Sequence, residues 1–151
     1  MNILKFQLID IIKFCNCKKN IMNDLIKHLY NRIPYYSTLG FELQEISNGK
    51  ATFEIEIRKE LTQNGMIHGG VLASLVDSTC ACAAFSLILP NGYVTTIDLQ
   101  VEFLKPVSSG RLKAIAKCIK SGKNIFFCKA KVWDERGDLI CTGSSQLLRI
   151  E

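Results

Sequence analysis

Between Lys50 and Arg58 apolar and polar residues alternate without a break. Ala51, Phe53, Ile55 and Ile57 share one face, with Thr52, Glu54, Glu56 and Arg58 on the other. That two-residue period predicts a strand with one face against a core. The pattern returns in Val94–Leu104, where Ile97, Leu99, Val101 and Phe103 alternate with Thr96, Asp98, Gln100 and Glu102. It returns again in Arg111–Lys120, which places Leu112, Ala114, Ala116 and Cys118 on one side. Asn124–Trp133 reads as a further strand, followed by Asp134-Glu135-Arg136-Gly137, a hairpin turn with glycine where a positive φ is expected. Leu139–Ile150 is the last strand, and Gly40–Ile46 reads as an extended segment near the beginning.

The period changes between Val71 and about Leu89. Val71, Leu72, Leu75, Val76, Ala83, Ala84, Phe85, Leu87 and Ile88 cover nearly every side of a helix that would span about 28 Å. A helix apolar all round must be buried on most sides. Its small residues Ala73, Ser74, Ala81 and Ala83 let a sheet approach closely, and Pro90 and Gly92 end it. Asn23–Arg32 reads as a shorter helix ended by Pro34, because the residue before proline avoids helical geometry. The order is helix, two strands, buried helix, four strands. Runs of strands joined by short turns predict an antiparallel sheet and an α+β domain, with the sheet wrapped around the long central helix.

The length of 151 residues suits one domain, placed at residues 22–151. Residues 1–21 read as an N-terminal extension of helical character. Lys5, Asp10 and Lys13 interrupt its apolar run from Ile3 to Phe14, so no stable membrane anchor and no clean signal-peptide core is expected. The formal charge of +5 is scattered among acids, and no nucleic-acid-binding motif accompanies it. The seven cysteines include Cys15 with Cys17 and Cys80 with Cys82, spacings that fit neither a zinc knuckle nor a thioredoxin-like redox motif. They read as reduced thiols of a cytoplasmic protein, and no metal is expected.

The chemically informative segment runs from Asn64 through His68-Gly69-Gly70 to Asp77. Gly69 and Gly70 immediately precede the central helix in this reading. Their amides then lie at its positive end, where unpaired N–H groups favour negative charge and glycine admits a ligand to the backbone. This is a candidate oxyanion hole. Asp77 lies about two turns into the most apolar helix of the chain, where a carboxylate is a poor helix former and costs free energy unless it is paired. Either it carries chemistry, or it faces a polar groove and bonds to a hydroxyl such as Ser74 or Thr96. His68 either ties down the loop through hydrogen bonds or contacts substrate near the reacting carbonyl.

The phrase His68-Gly69-Gly70-Val71-Leu72-Ala73-Ser74-Leu75-Val76-Asp77 resembles the signature of hotdog-fold acyl-CoA thioesterases of the phenylacetate-degradation type, within the 4-hydroxybenzoyl-CoA thioesterase superfamily. The likeness extends over residues 34–150, through Leu39-Gly40-Phe41-Glu42-Leu43, Thr96-Ile97-Asp98-Leu99, Phe103-Leu104-Lys105-Pro106 and Gly137–Gly143. It implies a sheet of five or six strands wrapped around the helix. It implies a homodimer, paired into a homotetramer, with active sites between subunits. The implied substrate is an acyl-CoA, coenzyme A being part of the substrate, with no separate cofactor. Asp77 would be general base or nucleophile, the Gly69 amide would hold the oxyanion with Gly70 and His68 beside it, and Thr96 would help position the attacking water. The loop Lys120-Ser121-Gly122-Lys123-Asn124-Ile125 matches the segment that contacts the CoA nucleotide. Phe103 would line the acyl pocket or fill the core. One departure is plain: the family usually has asparagine six residues before the histidine, where this chain has Thr62, with Gln63 and Asn64 close by. Two rival readings follow, a non-catalytic acyl-CoA binding or sensing protein and a hotdog hydratase or dehydratase.

Overall fold

The computed structural model describes residues 26–28, 30–89 and 92–150. The extension at 1–21 therefore lies outside the described residues, as does part of the helix expected over Asn23–Arg32. The remainder of that helix is helical at 26–28 and at Tyr30, and the chain is extended at Ile33 with φ −64° and ψ 124°. Pro34 does more than end it. It opens a second helix, α1 (Pro34–Leu39), because proline's fixed φ and missing N–H suit a first turn. Gly40 closes α1 at φ 76°.

Strands β1 (Glu42–Ser47) and β2 (Lys50–Glu56) follow, then the central helix α2 (Gly69–Phe85), and then β5 (Tyr93–Phe103), β6 (Arg111–Ser121), β7 (Ile125–Asp134) and β8 (Leu139–Ile150). The segment between β2 and α2, expected as loop, is more ordered than that. It holds a 3-10 turn at Lys59–Leu61 and a small hairpin of β3 (Thr62–Gln63) and β4 (Met66–Ile67). Asn64 and Gly65 join its strands at φ 52° and 77°, the paired positive angles of a two-residue turn whose twist matches the strands.

The six long strands form one antiparallel sheet in the order β1-β2-β6-β7-β8-β5, and α2 packs on one face of it. The alternation read from the sequence is the alternation of burial for Ala51, Phe53 and Ile55 and for Leu112, Ala114 and Ala116, which point at the helix; in β7 the buried face is Phe126, Cys128, Ala130 and Val132. They meet Leu72, Leu75, Val76, Cys80, Ala83 and Ala84 from α2. Gly143 shows how close the layers are. A Cβ there would stand 2.6 Å from the Gln100 carbonyl and 2.7 Å from Val76 Cγ1, so only glycine fits between β5 and the helix.

Helix α2 begins two residues earlier and ends four residues earlier than the apolar run suggests. Its start is moved by a cap at His68, described below. At its end the Ser86 hydroxyl donates to the Ala83 carbonyl and accepts the Gly49 N–H, which ties the helix end to the β1–β2 turn. Beyond it Ile88, at 7% exposure, and Leu89 pack on the core without helix, while Leu87 is exposed.

Candidate active site

The positive end of α2 is held from three sides. The Ile67 N–H donates to Val107 and the His68 N–H to Leu61, which fixes the approach to the helix. His68 is the N-cap, extended at φ −69° and ψ 135°, and its Nδ1 accepts the Gly70 N–H at 2.9 Å. Its carbonyl accepts the Val71 and Leu72 N–H groups at 3.0 and 3.4 Å. A ring nitrogen that accepts from a backbone N–H carries no proton, so the neutral ring holds its proton on Nε2. The reading in which His68 ties down its loop is met by Nδ1, which fixes the helix start, and the Nε2–H remains as a donor on an exposed ring.

Gly69 and Gly70 do not precede α2 but are its first two residues. The Gly69 N–H, unlike those of Gly70, Val71 and Leu72, has no acceptor among the described residues. First-turn amides lack a partner within the helix. Only at Gly70 is a side chain crowded out. A Cβ at Gly70 would lie 2.9 Å from His68 Nδ1, and one at Gly69 would touch the Phe103 ring at 3.4 Å.

A cavity of about 530 Å³ opens at this helix end. His68, Gly69 and Leu72 form one wall, Gln63, Asn64 and Met66 of the small hairpin a second, and Phe103-Leu104-Lys105-Pro106 a third. Of the residues picked from the sequence, His68, Gly69, Asn64 and Phe103 meet here. Thr62 does not line it, and its Oγ1 donates to the Lys59 carbonyl at 2.7 Å. Leu72, Met66 and Lys105 were not singled out as site residues. Their only sequence signal was membership of the two phrases that flank the cavity.

Asp77 is half-buried farther along α2, and the Thr96 hydroxyl donates to its Oδ1 at 2.7 Å. Strict alternation would put Thr96 on the face opposite Leu99 and Val101. The structure corrects this, because β5 carries a bulge between Thr96 and Asp98. Thr96 pairs with Leu147 and Leu99 with Ser145, both buried partners, so Thr96 and Leu99 lie on the same, helix-facing side. The extra residue, Ile97, turns outward at 51% exposure. A bulge re-aims a side chain in this way.

Gly69 and Asp77 are eight residues apart, about 12 Å along one helix. Within a single chain they cannot reach the same carbonyl carbon. The loop Lys120–Ile125 is the tip of the β6–β7 hairpin. Lys120, Ser121, Lys123 and Asn124 are exposed there, and none of the six lines the cavity. Gly122 is required by the turn, since a Cβ would stand 2.7 Å from the Ile125 carbonyl that its N–H donates to. Among the described residues no three His, Cys, Asp or Glu side chains are placed to hold a metal ion. No described helix is long and apolar enough to cross a membrane.

A family model of the thioesterase superfamily matches residues 64–141, more than half of the chain. The chain belongs to the thioesterase superfamily. Its α+β architecture, an antiparallel sheet packed on a central helix, is the hotdog fold of that superfamily. MT1895 of Mycobacterium tuberculosis, named as a candidate esterase, is 24% identical over 123 residues, covering 79% of this chain and 88% of that one. The solved structure of that protein superposes with a TM-score of 0.76 at 25% identity, over 79% of this chain and 98% of its own. The 1,4-dihydroxy-2-naphthoyl-CoA hydrolase of Listeria monocytogenes is 29% identical over 105 residues, 69% of this chain and 85% of its own. The phenylacetic-acid-operon protein PaaI of Escherichia coli shares the fold, with a TM-score of 0.74 at 18% identity over 82% of this chain and 89% of that one.

Proposed function

We propose that this protein is an acyl-CoA thioesterase that hydrolyses its substrate to a free acid and coenzyme A. The observation that carries the reading is the pairing of two features of one helix: a carboxylate held by a hydroxyl, and an unengaged first-turn amide facing a cavity. A thioester carbonyl seated at the Gly69 amide gains a hydrogen bond that strengthens as its oxygen becomes negative. Asp77 then takes a proton from water or attacks the carbonyl carbon itself, and Thr96 keeps the carboxylate oriented. The CoA thiolate departs. Phe103, Leu72 and Met66 offer an apolar wall to the acyl group, and the lysines of the exposed β6–β7 tip offer cations to the nucleotide phosphates, whereas the Lys105 ammonium is paired with Asp138.

The 12 Å separation supports an active site shared by two protomers, with Asp77 facing the glycine pair of a partner. Strand β5 is a sheet edge and exposes Ile97, Leu99 and Phe103 beside the site, an apolar border suited to a homodimer. In this reading residues 22–151 are the catalytic domain, dimers pair into tetramers, and the enzyme works in the cytoplasm.

The test is a panel of short, medium, long and aromatic acyl-CoAs with a thiol reagent. The expected result is CoA release that Asp77→Ala abolishes. Thr62 favours one alternative, a non-catalytic acyl-CoA binding protein, because its hydroxyl is spent on Lys59 where the family usually has an asparagine. Saturable acyl-CoA binding with no thiol release from any member of the panel would select that alternative.

A further inference from the structure

Five cysteines lie among the described residues, all as free thiols, and three of them converge away from the cavity. Cys118 of β6 and Cys128 of β7 are directly opposite in the antiparallel register. Antiparallel neighbours alternate between pairs that exchange backbone hydrogen bonds and pairs that do not, and the second kind sits closer. The backbone decides which kind this is. The Cys118 N–H donates to the Gly49 carbonyl at 2.7 Å, away from β7, so Cys118 and Cys128 form a non-hydrogen-bonded pair. Such pairs have Cα atoms about 4.5 Å apart, inside the span of roughly 4.4–6.8 Å that a disulfide bridges. The two thiols lie close enough to perturb one another, and Cys80 of α2 stands near both. The strand has give at this point, because β6 bulges between Cys118 and Lys120.

The two thiols differ in access. Cys118 is half-buried near the hairpin tip, and its Sγ contacts the Lys120 carbonyl at 3.3 Å. Cys128 is 1% exposed, and burial pushes its thiol well up from the ordinary range. An oxidant from solvent meets Cys118 first.

We propose that Cys118 and Cys128 are a redox-active pair, which a hydroperoxide converts to a cross-strand disulfide. The Cys118 sulfur attacks the peroxide. An S–O bond forms, the O–O bond breaks, and one water leaves with the thiol's proton, so Cys118 becomes a sulfenic acid. The Cys128 sulfur then attacks the Cys118 sulfur. The S–S bond forms, the S–O bond breaks, and the hydroxide leaves with the Cys128 proton as a second water. Two thiols are oxidised, one peroxide is reduced, and a dithiol reverses the step by exchange. The bond would staple the base of the hairpin whose tip is Lys120–Ile125. Its formation rests on the register alone and not on the hydrolytic reading.

The experiment treats the full chain with hydrogen peroxide, blocks remaining thiols in denaturant, and maps all seven cysteines by peptide mass spectrometry. The expected product joins the Cys118 and Cys128 peptides, returns to two thiols with dithiothreitol, and is absent from Cys118→Ser. In Cys128→Ala the expected product is a Cys118 sulfenic acid trapped by dimedone. Three results overturn the proposal: Cys118 carried to sulfinic acid while Cys128 stays a thiol, Cys118 joined to Cys80, Cys15 or Cys17 instead, or other cysteines oxidised while this pair stays reduced.

Discussion

Asp77 and Thr96 are where single atoms decide most. Removing the carboxylate by Asp77→Ala leaves a helix with better propensity, so the fold should persist. Turnover should fall by at least about 10²–10³, the loss typical of a single transition-state donor. Circular dichroism and CoA release on the same sample check both halves, and near-wild-type turnover would remove Asp77 from the mechanism. His68 separates two roles by substitution. His68→Asn keeps a side chain that caps well, whereas His68→Ala should lose about 0.5–2 kcal/mol in urea unfolding. If activity falls in the asparagine variant while stability holds, the Nε2–H contributes to the reaction; if both variants lose only stability, the ring is a cap. A third residue-scale expectation concerns pH. Burial pushes the thiols of Cys80, Cys82 and Cys141 up to about 12 from the ordinary 9.0. Above pH 9.0 they ionise when the chain unfolds and stay neutral when it is folded, so the unfolded state is favoured. Their contribution to stability is complete below pH 9.0 and is lost as pH rises toward 12, which denaturant midpoints along that range will follow.

The elements set the positions of those atoms. The β3–β4 hairpin exists because Asn64-Gly65 accepts two positive φ angles, and it carries Gln63, Asn64 and Met66 to the cavity. The bulge in β5 turns Thr96 to Asp77 and, in the same step, pushes Ile97 outward. Gly143 sets the spacing between β5, β8 and α2. Gly143→Ala should therefore cost about 1–3 kcal/mol by overpacking, since its Cβ meets backbone and a packed valine. A drop in the urea midpoint without a change in the slope would report that loss. An unchanged midpoint would mean that the layers can part at no cost.

At the scale of the whole molecule, the proposed site needs two protomers. Helix α2 keeps Gly69 and Asp77 about 12 Å apart, and the apolar border of β5 lies beside both. If the proposed dimer forms there, charging that border with Ile97→Glu and Leu99→Glu should give monomers by size-exclusion chromatography and abolish CoA release, with the helix content unchanged. Activity retained in a verified monomer would show that one chain carries a complete site.

Much of this was legible before any coordinates. Period-two alternation marks burial well wherever one face meets a core, which is why β6 follows its sequence pattern and β2 departs from it only at Thr52, buried on the polar face. The His68–Asp77 phrase likewise marked where the glycine pair and the acid fall on α2. What local pattern cannot carry is a change of register. The bulge at Ile97 moves Thr96 across the sheet with no composition signal, because the side chain that flips is chosen by its pairing with β8. Helix limits behave the same way: apolar content runs to Leu89, but a hydroxyl bond at Ser86 and a ring nitrogen at His68 set the ends. Thus the amino-acid sequence by itself determined the α+β class, the strands, the buried helix and the acid within it, since each follows from short-range periodicity and side-chain chemistry. Only the tertiary structure decided that Thr96 meets Asp77 and that Phe103 stands over Gly69, since each depends on contacts between residues distant in the sequence.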